Sequence, residues 1–230
     1  MNNAFVPLMA TFLSLMVGFL FLSLFTMAFS YKERMKERYD FLSMFPYEGF
    51  EIRSAHGHYA VGLWVMYLLS LAGSFSILLM CPDIFPFLMG REITVGITGG
   101  LMAIAIAGLT FTDASNMKVH IFCFVLYAIA LMLNGLCVGF AFLDLRVINE
   151  TLGMVFAVIA FTMAGLSGVI ILNPKLSSWG NLKKVGEGES AIYVRPRPFL
   201  LPFSEWILIG MGLLLSIVTI IGNYLLILQK

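Results

Sequence analysis

Six stretches of this 230-residue chain, 5–30, 59–80, 93–112, 121–143, 152–172 and 206–227, contain no Asp, Glu, Lys, Arg or His. Each approaches or exceeds the roughly 20 residues an α-helix needs to cross a hydrocarbon core about 30 Å thick. In lipid each must be helical, because an isolated extended segment would leave its backbone N–H and C=O groups without partners. The pattern predicts an all-α fold, a polytopic six-helix transmembrane bundle forming one domain over 1–230. Long loops at 31–58 and 173–205 alternate with short ones that set neighbouring helices antiparallel. Charged residues are 12% of the chain and hydrophobic ones 60%. A soluble domain carries about 25% charged residues to cover its surface, so this chain must face lipid instead. The first run is too long for a signal-peptide core and lacks a basic leader, so it reads as a retained span.

A net charge of +1 gives no basis for nucleic-acid binding. Cys81, Cys123 and Cys137 lie in or beside apolar runs without paired spacing, which predicts neither a disulfide framework nor a zinc site. Lys and Arg concentrate in the first, third and fifth loops, which hold eleven; the opposite side has only Arg91, Arg146 and Lys230. The positive-inside rule then places those three loops in the cytoplasm and both termini outside. Asn149-Glu150-Thr151 matches the glycosylation acceptor pattern, at a position this topology puts on the non-cytoplasmic side.

Within the loops, the run from Tyr31 to Tyr39 predicts an extension of the first helix into water, broken at Pro46, with Ser54 as N-cap of the second span. Gly186-Glu187-Gly188 and Arg195-Pro196-Arg197-Pro198 predict an extended, irregular fifth loop. Within the spans, small residues recur at every fourth position. Gly96 with Gly100, Gly99 with Ala103 and Ala107, Gly135 with Gly139, and Ala160 with Ala164 and Gly168 mark faces where helix backbones approach closely, and Gly165 is a further packing position of the fifth run. Spans three to five should form the tight core, with Asn134 hydrogen-bonding across helices.

Catalytic chemistry finds little support in these residue types. No run carries the ionisable group that ion-coupled transporters and pumps keep at depth. Gly165-Leu166-Ser167-Gly168 is similar to the nucleophile motif of rhomboid proteases, but the sixth run has no His to accept the serine proton. His56, His58, His120 and Asp113 fall at one membrane face, yet their spacing matches no metal-ligand motif. Neither a metal nor another cofactor is expected, and a non-enzymatic role is favoured. Two alternatives stay open: a channel or transporter for a neutral or lipidic solute along Asn134 and Ser167, and an intramembrane enzyme using the His and Asp groups.

Three positional features carry a family resemblance: Phe111-Thr112-Asp113 followed by His120, the run of residues 152–169, and Ser204-Glu205-Trp206 at the start of the last span. Together they resemble the damage-regulated autophagy modulator (DRAM) and Sfk-type family of six-span membrane proteins. Phe45-Pro46-Tyr47-Glu48 is similar, less closely, to that family's element before the second span. The resemblance covers spans three to six and little of the first long loop. It implies a protein of the lysosomal or plasma membrane that modulates autophagy or organises lipids and phosphoinositide signalling through partner proteins. It also implies both termini in the cytoplasm, the reverse of the charge-based orientation. Asp113, His120, Glu205 and Trp206, with His56 and His58, should then form one polar cluster at a membrane face.

Overall fold

The computed structural model describes residues 38–49, 91–112, 116–186 and 192–228, with Thr11, Gly18, Phe21, Leu22, Phe25 and Ala28 of the first run. Those six positions are helical; the second predicted span, Ser54 and Cys81 lie outside the described residues. Among the fully described segments, a short helix α1 (Pro46–Gly49) precedes four long ones: α2 (Glu92–Phe111), α3 (Met117–Leu145), α4 (Glu150–Ile171) and α5 (Leu200–Leu228). By length and composition α3, α4 and residues Leu200–Gly222 of α5 can each cross a membrane. Between α4 and α5 stand a 3-10 turn, Leu176–Ser178, and two strands, β1 (Lys183–Val185) and β2 (Ile192–Val194).

The helices pack because each carries a buried row at three- and four-residue steps. In α3 it runs through His120, Phe124, Tyr127, Leu131, Asn134, Val138, Phe142 and Leu145. In α2 it is Val95, Thr98, Met102, Ala105 and Leu109. In α4 it is Gly153, Ala157, Ala160, Ala164 and Ser167. In α5 it is Leu201, Glu205, Leu208, Gly212, Leu215 and Thr219. A repeat averaging 3.5 residues suits left-handed bundle packing at crossing angles near 20°. The opposite faces are apolar too: Ile97 and Ile104 of α2, Phe122 of α3, Val158 and Val169 of α4 and Leu214 of α5 are exposed. Such faces suit lipid.

α3 lies between α2 and α4 and beside α5. Asn134 donates through Nδ2 to Thr98 Oγ1 at 2.9 Å and to the Val95 carbonyl at 3.2 Å, the cross-helix bond its sequence position predicts. A Cβ built on Gly135 would lie 3.1 Å from both the Ala160 carbonyl and Ala164 Cβ, and one on Gly139 would strike the Phe161 ring. One on Gly168 would meet Met132 Sδ at 3.3 Å. Gly135 thus lets two backbones approach, while Gly139 and Gly168 make room for the side chains of Phe161 and Met132.

The other small-residue positions behave differently. A Cβ on Gly96 or Gly165 meets nothing within 4 Å among the described residues. Gly99 is buried, whereas Gly100 and Ala103 are only half-buried. The reason is rotational: the buried row of α2 follows Val95, Thr98 and Met102, and Gly165 stands one residue, about 100°, off the Ala164 row. Four glycines outside the predicted rows are tight instead: Gly108 against Cys123, Gly153 against the Arg146 backbone, Gly212 against the Tyr127 hydroxyl and Gly222 against Phe142.

The loops depart from expectation in two places. Residues 38–40 are not helical, and Pro46 opens α1 instead of ending a helix, as suits a residue with fixed φ and no N–H at a first helical position. Glu48 completes that turn by accepting a hydrogen bond from the Phe45 N–H at 2.8 Å. The fifth loop is not irregular throughout. β1 and β2 pair antiparallel, with Lys183 opposite Val194 and Val185 opposite Ile192, and Gly186 leaves the ribbon with a positive φ of 95°.

Candidate functional site

A polar site forms where α2 ends and α3 and α5 begin. Because α3 and α5 run parallel, residues near their N-terminal ends share one face of the bundle. His120 sits in the first turn of α3 and Glu205 in the second turn of α5, each with a side chain wholly removed from solvent. His120 Nε2 lies 2.7 Å from Glu205 Oε1. On the other side of the ring, Nδ1 lies 3.0 Å from the Thr112 carbonyl and 3.1 Å from Thr112 Oγ1. The Thr112 hydroxyl donates to the Gly108 carbonyl at 2.6 Å.

These contacts assign the protons. A carbonyl only accepts, so Nδ1 carries a hydrogen and donates it to Thr112. Nε2 and Oε1 then share one further proton along their axis, held by the imidazolium beside a carboxylate or by the carboxylic acid beside a neutral ring. Either form keeps the hydrogen bond. The second carboxyl oxygen, Glu205 Oε2, has no hydrogen-bond partner among the described residues.

Residues 38–49 lie across this pair as a cap. The buried Phe45 ring stands edge-on to the His120 imidazole, centroids 5.1 Å apart and planes at 86°, and also meets Phe199 at 5.7 Å. The Tyr39 hydroxyl donates to the Phe45 carbonyl at 2.6 Å, and Trp206 donates through Nε1 to the Met44 carbonyl at 3.2 Å. Tyr39 and Phe41 pack edge-to-face on the Trp206 ring.

Two ion pairs tie the cap to the chain leaving β2. Arg195 Nη2 meets Glu48 Oε1 at 2.6 Å, and Arg197 Nε meets Asp40 Oδ2 at 2.9 Å. Phe199 donates its N–H to the Leu42 carbonyl at 2.8 Å. Burial pushes the Asp40 carboxyl up, but hydrogen bonds from the Ser43 hydroxyl and the Leu42 amide, with the Arg197 guanidinium, outweigh it and hold the pKa below the ordinary 3.8.

Of the residues assigned to a polar cluster, His120, Glu205 and Trp206 converge here, while Asp113, His56 and His58 lie outside the described residues. Thr112, Phe45, Glu48 and Arg195 were not anticipated. A usable signal existed: the two long loops lie on one side of the bundle, one offering Asp40 and Glu48, the other Arg195 and Arg197. Asn149 has a structural task as N-cap of α4, its Oδ1 accepting from the Leu152 N–H at 2.9 Å. No group of three or more His, Cys, Asp or Glu side chains that could hold a metal ion occurs among the described residues. Comparison with known proteins adds no relative: no family model, curated protein or solved structure matches the chain.

Proposed function

We propose that the chain is a six-span membrane protein of the DRAM/Sfk type, acting without catalysis through membrane lipids and partner proteins in the lysosomal or plasma membrane. The observation that carries this reading is the His120–Glu205 pair, joined across 85 residues of sequence and sealed by Phe45. A catalytic acid–base pair needs its reacting atom within reach of substrate. Here both side chains are enclosed, the ring is held at both nitrogens and the carboxyl group at Oε1, an arrangement suited to holding the cap on the bundle. The outer surface of that cap, with Arg195, Arg197 and the half-buried Trp206, is what remains for partners.

The test is deletion of the protein from its native cells, with autophagic flux and phosphoinositide distribution measured, alongside co-purification and mass spectrometry of the tagged chain. The expected result is a change in one of the two, restored by the wild-type chain and not by His120→Ala, with membrane proteins co-purifying. Unchanged flux, unchanged lipid distribution and no partner would contradict the proposal.

A second reading, passage of a neutral or lipidic solute, draws on a different observation. Met132 faces Gly168 and Gly135 faces Ala164, so Asn134 and Ser167 lie at one depth. Asn134 Oδ1 and Ser167 Oγ are both buried without a hydrogen-bond partner among the described residues. Flux across liposomes containing the purified protein tests this reading, and no flux over a panel of polyols and lipids would end it.

A further inference from the structure

The β1–β2 ribbon presents an uncovered apolar side outside the spans. Side chains alternate along a strand, so the register places Lys183, Val185, Ile192 and Val194 on one face and Lys184 on the other. Val185, Ile192 and Val194 are all exposed, as is Leu182 at the entry. A two-stranded ribbon alone is marginal in water and needs its apolar side covered.

Three observations indicate what covers it. The ribbon stands near the start of a helix able to cross a membrane: Val194 precedes the first residue of α5, Leu200, by six positions, a reach of at most about 20 Å. Its exit is pinned to the cap by Arg195 and Arg197. The remaining cations of the segment, Lys175, Lys183 and Lys184, form no ion pair among the described residues and are exposed. Lysines interleaved with β-branched residues suit the level where lipid acyl chains meet phosphate, since the Lys stem lies along apolar surface while the ammonium reaches the headgroup.

We propose that the β1–β2 ribbon lies on the membrane surface, with Val185, Ile192 and Val194 at the acyl–headgroup boundary and Lys175 and Lys183, the latter on the same face of the ribbon, on the phosphates of anionic lipids. This inference rests on the membrane-spanning reading above, and on no particular role in autophagy or lipid signalling. Anionic lipids concentrate in the cytoplasmic leaflet, the side to which the Lys and Arg distribution, in contrast to the family resemblance, assigns this loop.

The test uses the full chain with its three native cysteines replaced by Ala and a single Cys carrying an environment-sensitive fluorophore, at Ile192→Cys or, as a reference on the exposed face of α4, at Val158→Cys. Each protein is reconstituted into vesicles of phosphatidylcholine alone or of phosphatidylcholine with phosphatidylserine, and quenched by lipids spin-labelled at the headgroup or deep in the acyl chain. The expected result is headgroup-level quenching at 192 that strengthens with phosphatidylserine and falls about twofold or more with Lys175→Glu and Lys183→Glu together. Deep quenching at 158 is expected in both vesicle types. A wet label at 158 would remove the membrane-spanning reading itself. A label buried at 158 but wet at 192 in both vesicles would overturn only the ribbon proposal and leave a protein partner as its cover. Quenching at 192 that ignores phosphatidylserine and the Lys substitutions would overturn the recognition of anionic lipid.

Discussion

Glu205 Oε1 stands 2.7 Å from His120 Nε2, and nothing at that distance requires the carboxyl group to be charged. With Nδ1 committed to Thr112, a neutral His120 offers Nε2 as an acceptor, and an amide N–H can donate to it. Glu205→Gln is therefore expected to keep most of the stability, whereas Glu205→Leu leaves the ring unpaired at Nε2. Thermal unfolding in one detergent checks the order: wild type and Gln close together, Leu clearly lower.

Phe45 fills the space above the pair, and its loss removes both the seal and a buried ring. Phe→Ala changes at such sites cost about 3–5 kcal/mol. Here the loss should fall first on the cap, which is tied down by a few contacts and two partly exposed ion pairs. Phe45→Ala is expected to speed amide hydrogen exchange over residues 38–49 while the middle of α3 stays protected, read by mass spectrometry. Uniform acceleration across both would contradict this.

Acid should act on the cap through Asp40. Its carboxyl pKa in the folded protein lies below the ordinary value. The stabilisation it gives is thus present above pH about 3.8 and is lost as pH falls through the lowered folded value. Asp40→Asn removes this component. Below that pH the melting temperatures of the variant and the wild type should converge, and they should separate, with the wild type higher, as pH rises towards neutrality.

The glycines separate two kinds of position. At Gly135 a new methyl group would meet the Ala160 carbonyl and Ala164, neither of which can swing away. Gly135→Ala should cost about 1–3 kcal/mol as overpacking. Gly96→Ala meets open space among the described residues, and a helical Ala in place of Gly should be neutral or stabilising by up to about 1 kcal/mol. Equal effects in thermal unfolding would contradict the packing described.

Much of the helical architecture was legible in the sequence because charge is excluded so completely from the apolar runs. The runs 93–112, 121–143, 152–172 and 206–227 fall within or against α2 to α5, and Asn134 bonds across helices as its depth predicts. Helix ends were less legible. α3 and α5 each extend several residues beyond their uncharged runs, taking His120 into the first turn of α3 and Glu205 into the second turn of α5, because hydrogen bonding in a helix does not stop where hydropathy does. Rotation about each axis was least legible: every small residue looks alike in sequence, and only the neighbour's side chains decide that Gly212 is tight and Gly165 is not. The cap was hidden for another reason. Its contacts join residues 38–49 to residues 195–206, and no local pattern carries information over that separation.

The central claim is that His120 and Glu205 act as one unit that fixes the cap and the helix ends, and a double-mutant cycle tests it most directly. His120→Ala, Glu205→Ala and the double variant are unfolded thermally in the same detergent. Each single change leaves a buried polar partner alone and should cost about 3–5 kcal/mol. The double variant should lose less than the two losses added together, with a coupling of about 1–3 kcal/mol. Additive losses, or a His120→Ala protein as stable as the wild type, would contradict the account.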